Sequence, residues 1–182
     1  MTDSLTVEQR SALMSRIRSR DTTPEWILRC GLHRMGFRYT LGNGKLPGKP
    51  DLVFPKYRAA IFVHGCFWHR HADCKRATFP KSNTERWSEK FRKNVARDRS
   101  NLRELRGLGW RTKVVWECEL LDDTIETVAG VADWLQGGRR GDIGRRPGLY
   151  DSSQDQTEER RSLLRVAEGK VKRRLSSYDG ED

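Results

Sequence analysis

Apolar and polar residues along the chain follow two periods, one typical of strands and the other of helices. The run AAIFVH at 59–64 is apolar at nearly every position, which indicates a central strand covered on both faces. Apolar runs at 37–41, 51–54 and 110–118 predict three further strands. Glycine and proline are frequent between the first two, so a turn-rich connection is expected there.

Helical spacing accounts for most of the remaining chain up to residue 136. A capping threonine, a proline and Glu25 in succession predict a helix that begins near residue 23 and ends at Gly36. The tetrapeptide SNTE at 82–85 has the form of a capping box and predicts a helix to about Arg106. A last helix is expected after 123–126, and a short basic helix over 8–20.

The long helix that begins near residue 84 has an apolar stripe with one acidic interruption. Its apolar members recur every three or four residues, and Asp98 takes the place between the third and fourth: Trp87, Phe91, Val95, Leu102 and Leu105. A carboxylate that faces a core costs free energy unless it is paired. Asp98 is therefore expected to have a partner.

This order of helices and strands predicts an α/β fold in which helices flank a mixed sheet. After Gln136 the composition changes to a linker rich in glycine and arginine. We therefore expect one domain over 1–136 and, over 137–182, a linker followed by a charged, partly helical tail.

Charge points to a polyanionic partner. The chain has 36 Lys and Arg against 25 Asp and Glu, a formal net charge of +11, so its field attracts nucleic acid. An ordinary basic soluble protein is the alternative. Neither an apolar run long enough to span a membrane nor a secretory signal is visible, so a cytoplasmic location is expected. There, the four cysteines suit thiols or metal ligands better than disulfides.

The segment FVHGCFWHRHADC at 62–74 contains three of the four histidines and two of the four cysteines. Three of its residues, joined by one from the end of the last predicted strand, form a candidate set for structural zinc: Cys66, His71, Cys74 and Cys118. The alternative is three buried thiols and a surface histidine. Cys118 is distant in sequence and is the weakest member of the set.

If zinc takes His71, then His64 and His69 are left for proton transfer near neutral pH. For His64 alone the alternative is a core residue at a strand end. Asp51, which begins a strand after Pro50, could hold Mg²⁺ through its carboxylate. Pro50-Asp51 is similar to the restriction-endonuclease motif, but the usual acid and lysine on the next strand are missing. The backbone carbonyl of that strand would then have to serve as a ligand.

Taken in order, the motifs SRIRSRDTTPE, LPGKPDLVFPKYRAAIFVHGCFWHRH, KNVARDR and LGWRTKVVWECEL resemble those of the very-short-patch repair (Vsr) mismatch endonucleases over about residues 10–136. The resemblance implies a restriction-endonuclease-like three-layer sandwich with structural zinc. It also implies Mg²⁺-dependent nicking of one strand, on the 5′ side of the mispaired T in T:G pairs left by deamination of 5-methylcytosine.

The resemblance also implies roles for individual residues. Asp51 and the carbonyl of Val63 would hold Mg²⁺, although Val63 stands where the family has Thr. His69 would be the general base and Asp98 its orienting acid. The remaining implied residues are grouped by role: Glu25 and His64 around the water or phosphate; Phe67, Trp68 and Trp87 as a wedge inserted into the DNA stack; Met14 and Ile17 entering from the minor groove. For Glu25 the alternative is an acid at the helix N-terminus that serves only the helix dipole, and for Met14 and Ile17 it is simple packing.

Two other functions fit part of the pattern. A non-catalytic zinc DNA-binding module would explain the charge and the cysteines, but not Asp51, His69 and Asp98 together. A nicking or restriction endonuclease of changed specificity would use the same scaffold. We expect a monomer that acts on mismatched double-stranded DNA near the nucleoid, with no membrane partner and with mismatch-repair proteins as candidate partners.

Overall fold

A computed structural model describes residues 20–42 and 44–137 of the 182-residue chain. The helices and strands follow one another in an order close to the predicted one. In chain order they are α1 (Thr23–Arg34), β1 (Leu52–Phe54), a 3₁₀ turn (Pro55–Tyr57), β2 (Ala59–His64), α2 (Cys66–His69), α3 (Thr84–Gly107), β3 (Arg111–Trp116), α4 (Glu117–Asp122) and α5 (Thr124–Gly137).

The sheet of the described residues has three strands in the order β1-β2-β3 and is mixed, as predicted. β1 pairs antiparallel with β2, with Leu52 opposite Ile61. β2 pairs parallel with β3, from Ala59 opposite Arg111 to His64 opposite Trp116. Because the carboxyl ends of parallel strands meet at one edge, the segments that follow His64 and Trp116 begin side by side. That edge contains the candidate site.

Helices cover both faces of the sheet. Successive residues of β2 point to opposite faces, so each face of this strand packs against a different core. Ile61 faces the larger core, to which α1, α4 and α5 contribute. Phe62 faces a smaller core that includes Leu105 of α3. The near-continuous apolar run of β2 thus reflects burial on both faces, and the described chain has three layers.

Two strand predictions are corrected. The segment 37–41 forms only an isolated bridge from Thr40 to Val53, while Phe37 turns into the core. β3 ends at Trp116 rather than Cys118, because the Glu119 carboxylate accepts a hydrogen bond from the Trp116 N–H at 2.8 Å and begins α4 there. Cys118 therefore lies in the first turn of a helix.

Helix bounds agree closely with the prediction, with one difference in capping. α1 ends at Arg34, before Gly36. α3 begins at Thr84, and its N-cap is Asn83, in a left-handed conformation with no side-chain cap, rather than the predicted Ser82. No helix within 20–42 and 44–137 is long and apolar enough to cross a membrane.

The predicted basic helix at 8–20, with Met14 and Ile17, lies almost entirely outside the described residues, and so does the predicted tail beyond Gly137. The domain boundary after residue 136 stays a prediction.

Candidate active site and cysteine cluster

A wide cleft opens at the carboxyl end of β2, between the start of α1 and α3. Its volume of about 1640 Å³ exceeds the ~300–1,000 Å³ of most small-molecule sites, so it suits a polymer. Most of the residues predicted for catalysis and for the wedge line it: Glu25, Asp51, Val63, His64, Phe67, Trp68, His69 and Asp98.

Asp51 lies just before β1, and its carboxylate faces the next strand. The Val63 N–H donates to Asp51 Oδ2 at 2.7 Å. Burial raises the pKa of Asp51 to about 6; the Val63 hydrogen bond opposes this and the nearby Glu25 charge adds to it. A strand residue that pairs across a ladder presents its N–H and C=O to the same side. The Val63 carbonyl therefore faces the Asp51 side, where the two oxygens could share a cation.

His69 and Asp98 form a short hydrogen bond in the cleft. His69 ends α2, and its Nδ1 lies 2.5 Å from Asp98 Oδ2 on α3. Burial acts to raise the pKa of Asp98, but the hydrogen bond and the charge of His69 outweigh it, so the pKa is lowered. The predicted partner of the stripe carboxylate is thus His69. An ionised Asp98 accepts a hydrogen bond from the Nδ1–H of His69. The other ring nitrogen, Nε2, then carries no proton and can accept one.

His64 supports the face of the His69 ring. The two imidazoles stack with centroids 3.9 Å apart and planes 14° apart. His64 is buried, and burial, followed by the charge of His69, lowers its pKa to about 4. It is therefore neutral at neutral pH. Ligand atoms of His64, His69 and Asp98 lie within 4.8 Å of one another, but the short hydrogen bond already joins two of them.

Glu25 is buried and its carboxylate is fully engaged at the start of α1. It accepts hydrogen bonds from Thr22 Oγ1 at 2.9 Å, the Asp21 N–H at 3.2 Å and Arg29 Nη2 at 2.6 Å. These contacts hold its carboxylate at the N-terminus of α1. Its effect on the cleft is electrostatic, since its charge raises the pKa of Asp51.

The four predicted zinc ligands converge behind the cleft. Ligand atoms of Cys66, His71, Cys74 and Cys118 all lie within 4.8 Å of one another. His71 Nδ1 is 3.2 Å from Cys118 Sγ and 3.7 Å from Cys66 Sγ. Donors of a tetrahedral zinc site are separated by roughly 3.5–3.8 Å, given zinc bonds of about 2.0–2.3 Å. The donor set and its spacing fit zinc, and none of the four cysteines forms a disulfide.

The thiols of this cluster differ in pKa. Burial raises it to about 12, so ionisation of Cys66 needs a cation close by. The pKa of Cys74 is lowered, chiefly by a hydrogen bond from the Arg76 backbone. Cys74 therefore ionises more readily than a free thiol, whereas Cys66 requires a nearby positive charge to ionise.

The predicted wedge residues form one aromatic cluster. The Phe67 ring centroid is 5.0 Å from that of Trp68 and 5.6 Å from that of Trp87. The Lys90 ammonium lies 4.8 Å from the Trp68 ring and 5.0 Å from the Trp87 ring. Phe67 and Trp68 line the cleft, whereas Trp87 does not. Met14 and Ile17 lie outside the described residues.

Three supporting residues escaped the sequence analysis. Asn94 donates to the Trp68 carbonyl at 3.1 Å. Trp116 stacks on His71, with centroids 4.1 Å apart. Arg76 makes two hydrogen bonds of 2.8 Å to Asp122 and so ties the cysteine loop to α4. Only Asn94 had a readable signal, since it precedes Asp98 by one helical turn.

Known relatives define the class of protein. The type II nicking enzyme V.XorIIP of Xanthomonas oryzae pv. oryzae is 48% identical over 122 residues, which cover 67% of this chain and 89% of that one. The type II nicking enzyme V.NmeAIP of Neisseria meningitidis is 46% identical over 125 residues, 69% of this chain and 89% of that one. The protein is accordingly an endonuclease that acts on DNA.

The family follows from two further comparisons. The family model for DNA mismatch endonuclease Vsr matches residues 2–76. The DNA mismatch endonuclease Vsr of Escherichia coli is 46% identical over 111 residues, 61% of this chain and 70% of that one. The chain belongs to the Vsr family of DNA mismatch endonucleases.

Proposed function

We propose that this protein nicks one strand of double-stranded DNA, on the 5′ side of the mispaired T in T:G mismatches that arise from deamination of 5-methylcytosine, and that it depends on Mg²⁺. The observation that carries the proposal is the 2.5 Å contact between His69 and Asp98 in the cleft that also contains Asp51. This combination supplies an oriented base beside a carboxylate suited to a hard cation.

His69 is the general base of the proposed reaction. Its Nδ1–H donates to Asp98, so the free Nε2 takes the proton of the water that attacks phosphorus. Asp98 fixes this tautomer and stabilises the imidazolium that forms. The stacked His64, neutral and buried, limits rotation of the His69 ring.

Asp51 and the Val63 carbonyl are the proposed Mg²⁺ ligands. The fit rests on the direction of the Val63 backbone and on a carboxyl whose ionised form burial disfavours, which a cation would stabilise. When bound, Mg²⁺ supplies positive charge to the phosphate that is cut and to the departing 3′ oxygen. Val63 serves through its backbone, so Val is compatible where the family has Thr.

The aromatic cluster is the proposed wedge. Phe67 and Trp68 follow Cys66 directly, and the Trp68 carbonyl accepts a hydrogen bond from Asn94. Insertion between base steps costs a few kcal/mol of unstacking, and least where pairing is already poor. A wedge held by a zinc-bound loop and by α3 would therefore select mismatched steps.

Zinc is the proposed structural metal at Cys66, His71, Cys74 and Cys118. Its ligands join the loop after β2 to α4, which follows the neighbouring strand β3. Bound there, zinc would fix the α2 residues Phe67, Trp68 and His69 relative to the sheet.

A nicking endonuclease with other sequence or pairing requirements is the second candidate, since two of the relatives are named type II nicking enzymes. The catalytic groups would be the same and only the recognised duplex would differ.

A strand-labelled duplex assay with Mg²⁺ distinguishes the two candidates. We expect a single nick 5′ of T in a T:G duplex and no cut in the same duplex with T:A or C:G. Cleavage of fully paired DNA would favour the second candidate. His69→Ala should abolish nicking, whereas His33→Ala, which changes an exposed histidine outside the cleft, should not. Nicking by His69→Ala at the normal rate would refute the proposed base.

A further inference from the structure

Lys49 has an unusual backbone conformation next to the proposed metal ligand. Its φ is +52°, in the left-handed region, and it directly precedes Pro50 and Asp51. Left-handed backbone is uncommon for residues other than Gly, Asn and Asp, and a following proline favours an extended conformation instead. Such strain persists only where the surrounding structure holds it, and it clusters at functional sites.

The neighbouring Gly48 is also left-handed, but for glycine this conformation costs no strain. Its φ is +72°, and an added Cβ would lie 2.7 Å from Asn101 Nδ2 on α3, so only glycine fits there. Nothing in the turn requires lysine at the next position, where glycine or asparagine would cost less. The side chain of Lys49 is the remaining reason for its presence.

Two other long basic residues of the described chain are left-handed, and both have visible internal contacts. Arg58 donates to the Leu108 carbonyl at 3.0 Å. Arg70 donates to the Thr78 carbonyl at 2.8 Å and lies 4.6 Å from the Phe91 ring centroid. The Lys49 side chain is exposed, lines the cleft, and has no hydrogen bond or ion pair with any residue in 20–42 or 44–137.

Several other cations of the cleft wall already have partners. Arg29 is bound by Glu25, Arg76 by Asp122, and Lys90 lies over the tryptophans of the wedge. Among positive charges, that of Arg29 lowers the pKa of Asp51 most. Lys49 is therefore not needed as the counter-ion of Asp51. Lys49 thus offers an uncommitted ammonium in a cleft that must receive a polyanion.

We propose that the Lys49 ammonium binds a backbone phosphate of the DNA strand in the cleft that contains Asp51. Lys49 thereby supplies a positive charge in place of the lysine that usually stands on the strand after the Pro-Asp motif and that this chain lacks. The part that concerns nicking rests on the proposed function. A compact ammonium interacts with phosphate as a point charge, and the constrained backbone before Pro50 reduces the freedom lost when it binds.

The test uses the full chain with three variants. Lys49→Asn removes the charge but tolerates the left-handed backbone, and Lys49→Arg keeps the charge. Lys56→Asn removes one positive charge from an exposed residue that does not line the cleft. Single-turnover nicking of a T:G duplex, the salt dependence of duplex binding without Mg²⁺, and the midpoint of thermal unfolding are measured for each.

We expect Lys49→Asn to nick ~10-fold or more slowly, with an unfolding midpoint equal to or above that of the wild type. The slope of log K against log salt should become shallower by about 0.9, the loss of one phosphate contact. Lys49→Arg and Lys56→Asn should stay within about threefold of the wild-type rate.

The idea is overturned if Lys49→Asn keeps the wild-type rate and salt slope, or if its loss of activity follows a lowered unfolding midpoint. A wild-type protein that nicks no T:G duplex would refute the proposed function instead. In that case the salt slope still decides whether Lys49 binds phosphate.

Discussion

Replacement of Asp51 by asparagine should stabilise the folded protein at neutral pH while it removes nicking. Burial, with the charge of Glu25 added, raises the pKa of Asp51 from 3.8 to about 6. At about 1.36 kcal/mol per pH unit, this corresponds to about 3 kcal/mol against the ionised carboxylate in the folded state. Asparagine keeps an oxygen to accept the Val63 N–H, so the 2.7 Å hydrogen bond is retained.

The pH dependence follows from proton linkage. Between pH 3.8 and about 6 the folded state binds more protons at Asp51 than the unfolded state does. The free energy of unfolding therefore falls as pH rises through this window, and the full cost is present above it. Asp51→Asn has no proton to lose there. Its advantage over the wild type should grow from pH 4 to pH 7.5 by up to about 3 kcal/mol.

Urea unfolding of both proteins at several pH values measures this advantage. All other ionisable groups are common to both proteins, so the difference between the two curves isolates Asp51. Glu85→Gln, which changes an exposed acid at the start of α3, is the matched control; this side chain has no burial cost to relieve, so the variant should show no comparable gain in stability. The reasoning would be refuted if Asp51→Asn were less stable than the wild type at pH 7.5. It would also be refuted if the difference in unfolding free energy between the two proteins were the same at pH 4 and pH 7.5.

Magnesium provides a second readout of the same site. Without DNA, Mg²⁺ at ten times its dissociation constant should raise the unfolding free energy of the wild type by about 1.4 kcal/mol. Asp51→Asn should gain much less. Equal gains would mean that Mg²⁺ binds elsewhere.

Three further predictions concern the other groups of the site. Asp98→Asn should slow nicking by ~10- to 150-fold, the value of a charge-assisted hydrogen bond of about 1.5–3 kcal/mol, with DNA binding kept; an unchanged single-turnover rate would contradict this. Cys66→Ser should lower zinc content and folded yield together, as measured by metal analysis and circular dichroism; a folded, active and zinc-free variant would contradict the structural assignment. Phe67→Ala should weaken binding to a T:G duplex more than to a paired one in a fluorescence titration; equal losses would argue against the wedge.

Much of the fold was accessible from local pattern. β2 was predicted with its observed bounds because burial on both faces produces an uninterrupted apolar run. The segment 37–41 was mispredicted because one bridge to Val53 and a buried Phe37 give the same apolar signal as a full strand. The strand propensity of the segment 37–41 reflects the burial of Phe37 rather than hydrogen-bonded pairing with another strand.

The site divides in a similar way. Asp98 was identified because its charge interrupts an apolar stripe, and the structure supplies the partner that such a position requires. The contacts of Trp116 and Asn94 depend on strand register and on how α3 crosses the sheet, and local spacing contains neither. The conformation of Lys49 was equally hidden, since a turn rich in glycine does not indicate which residue will be left-handed.

The most direct test of the central claim is single-turnover nicking of a strand-labelled T:G duplex by the wild type and by Asp51→Ala and His69→Ala, with binding measured on the same DNA. We predict a Mg²⁺-dependent cut 5′ of the mispaired T by the wild type, and no cut by either variant despite retained binding. A variant that binds and nicks like the wild type would contradict the claim that this cleft performs the hydrolysis.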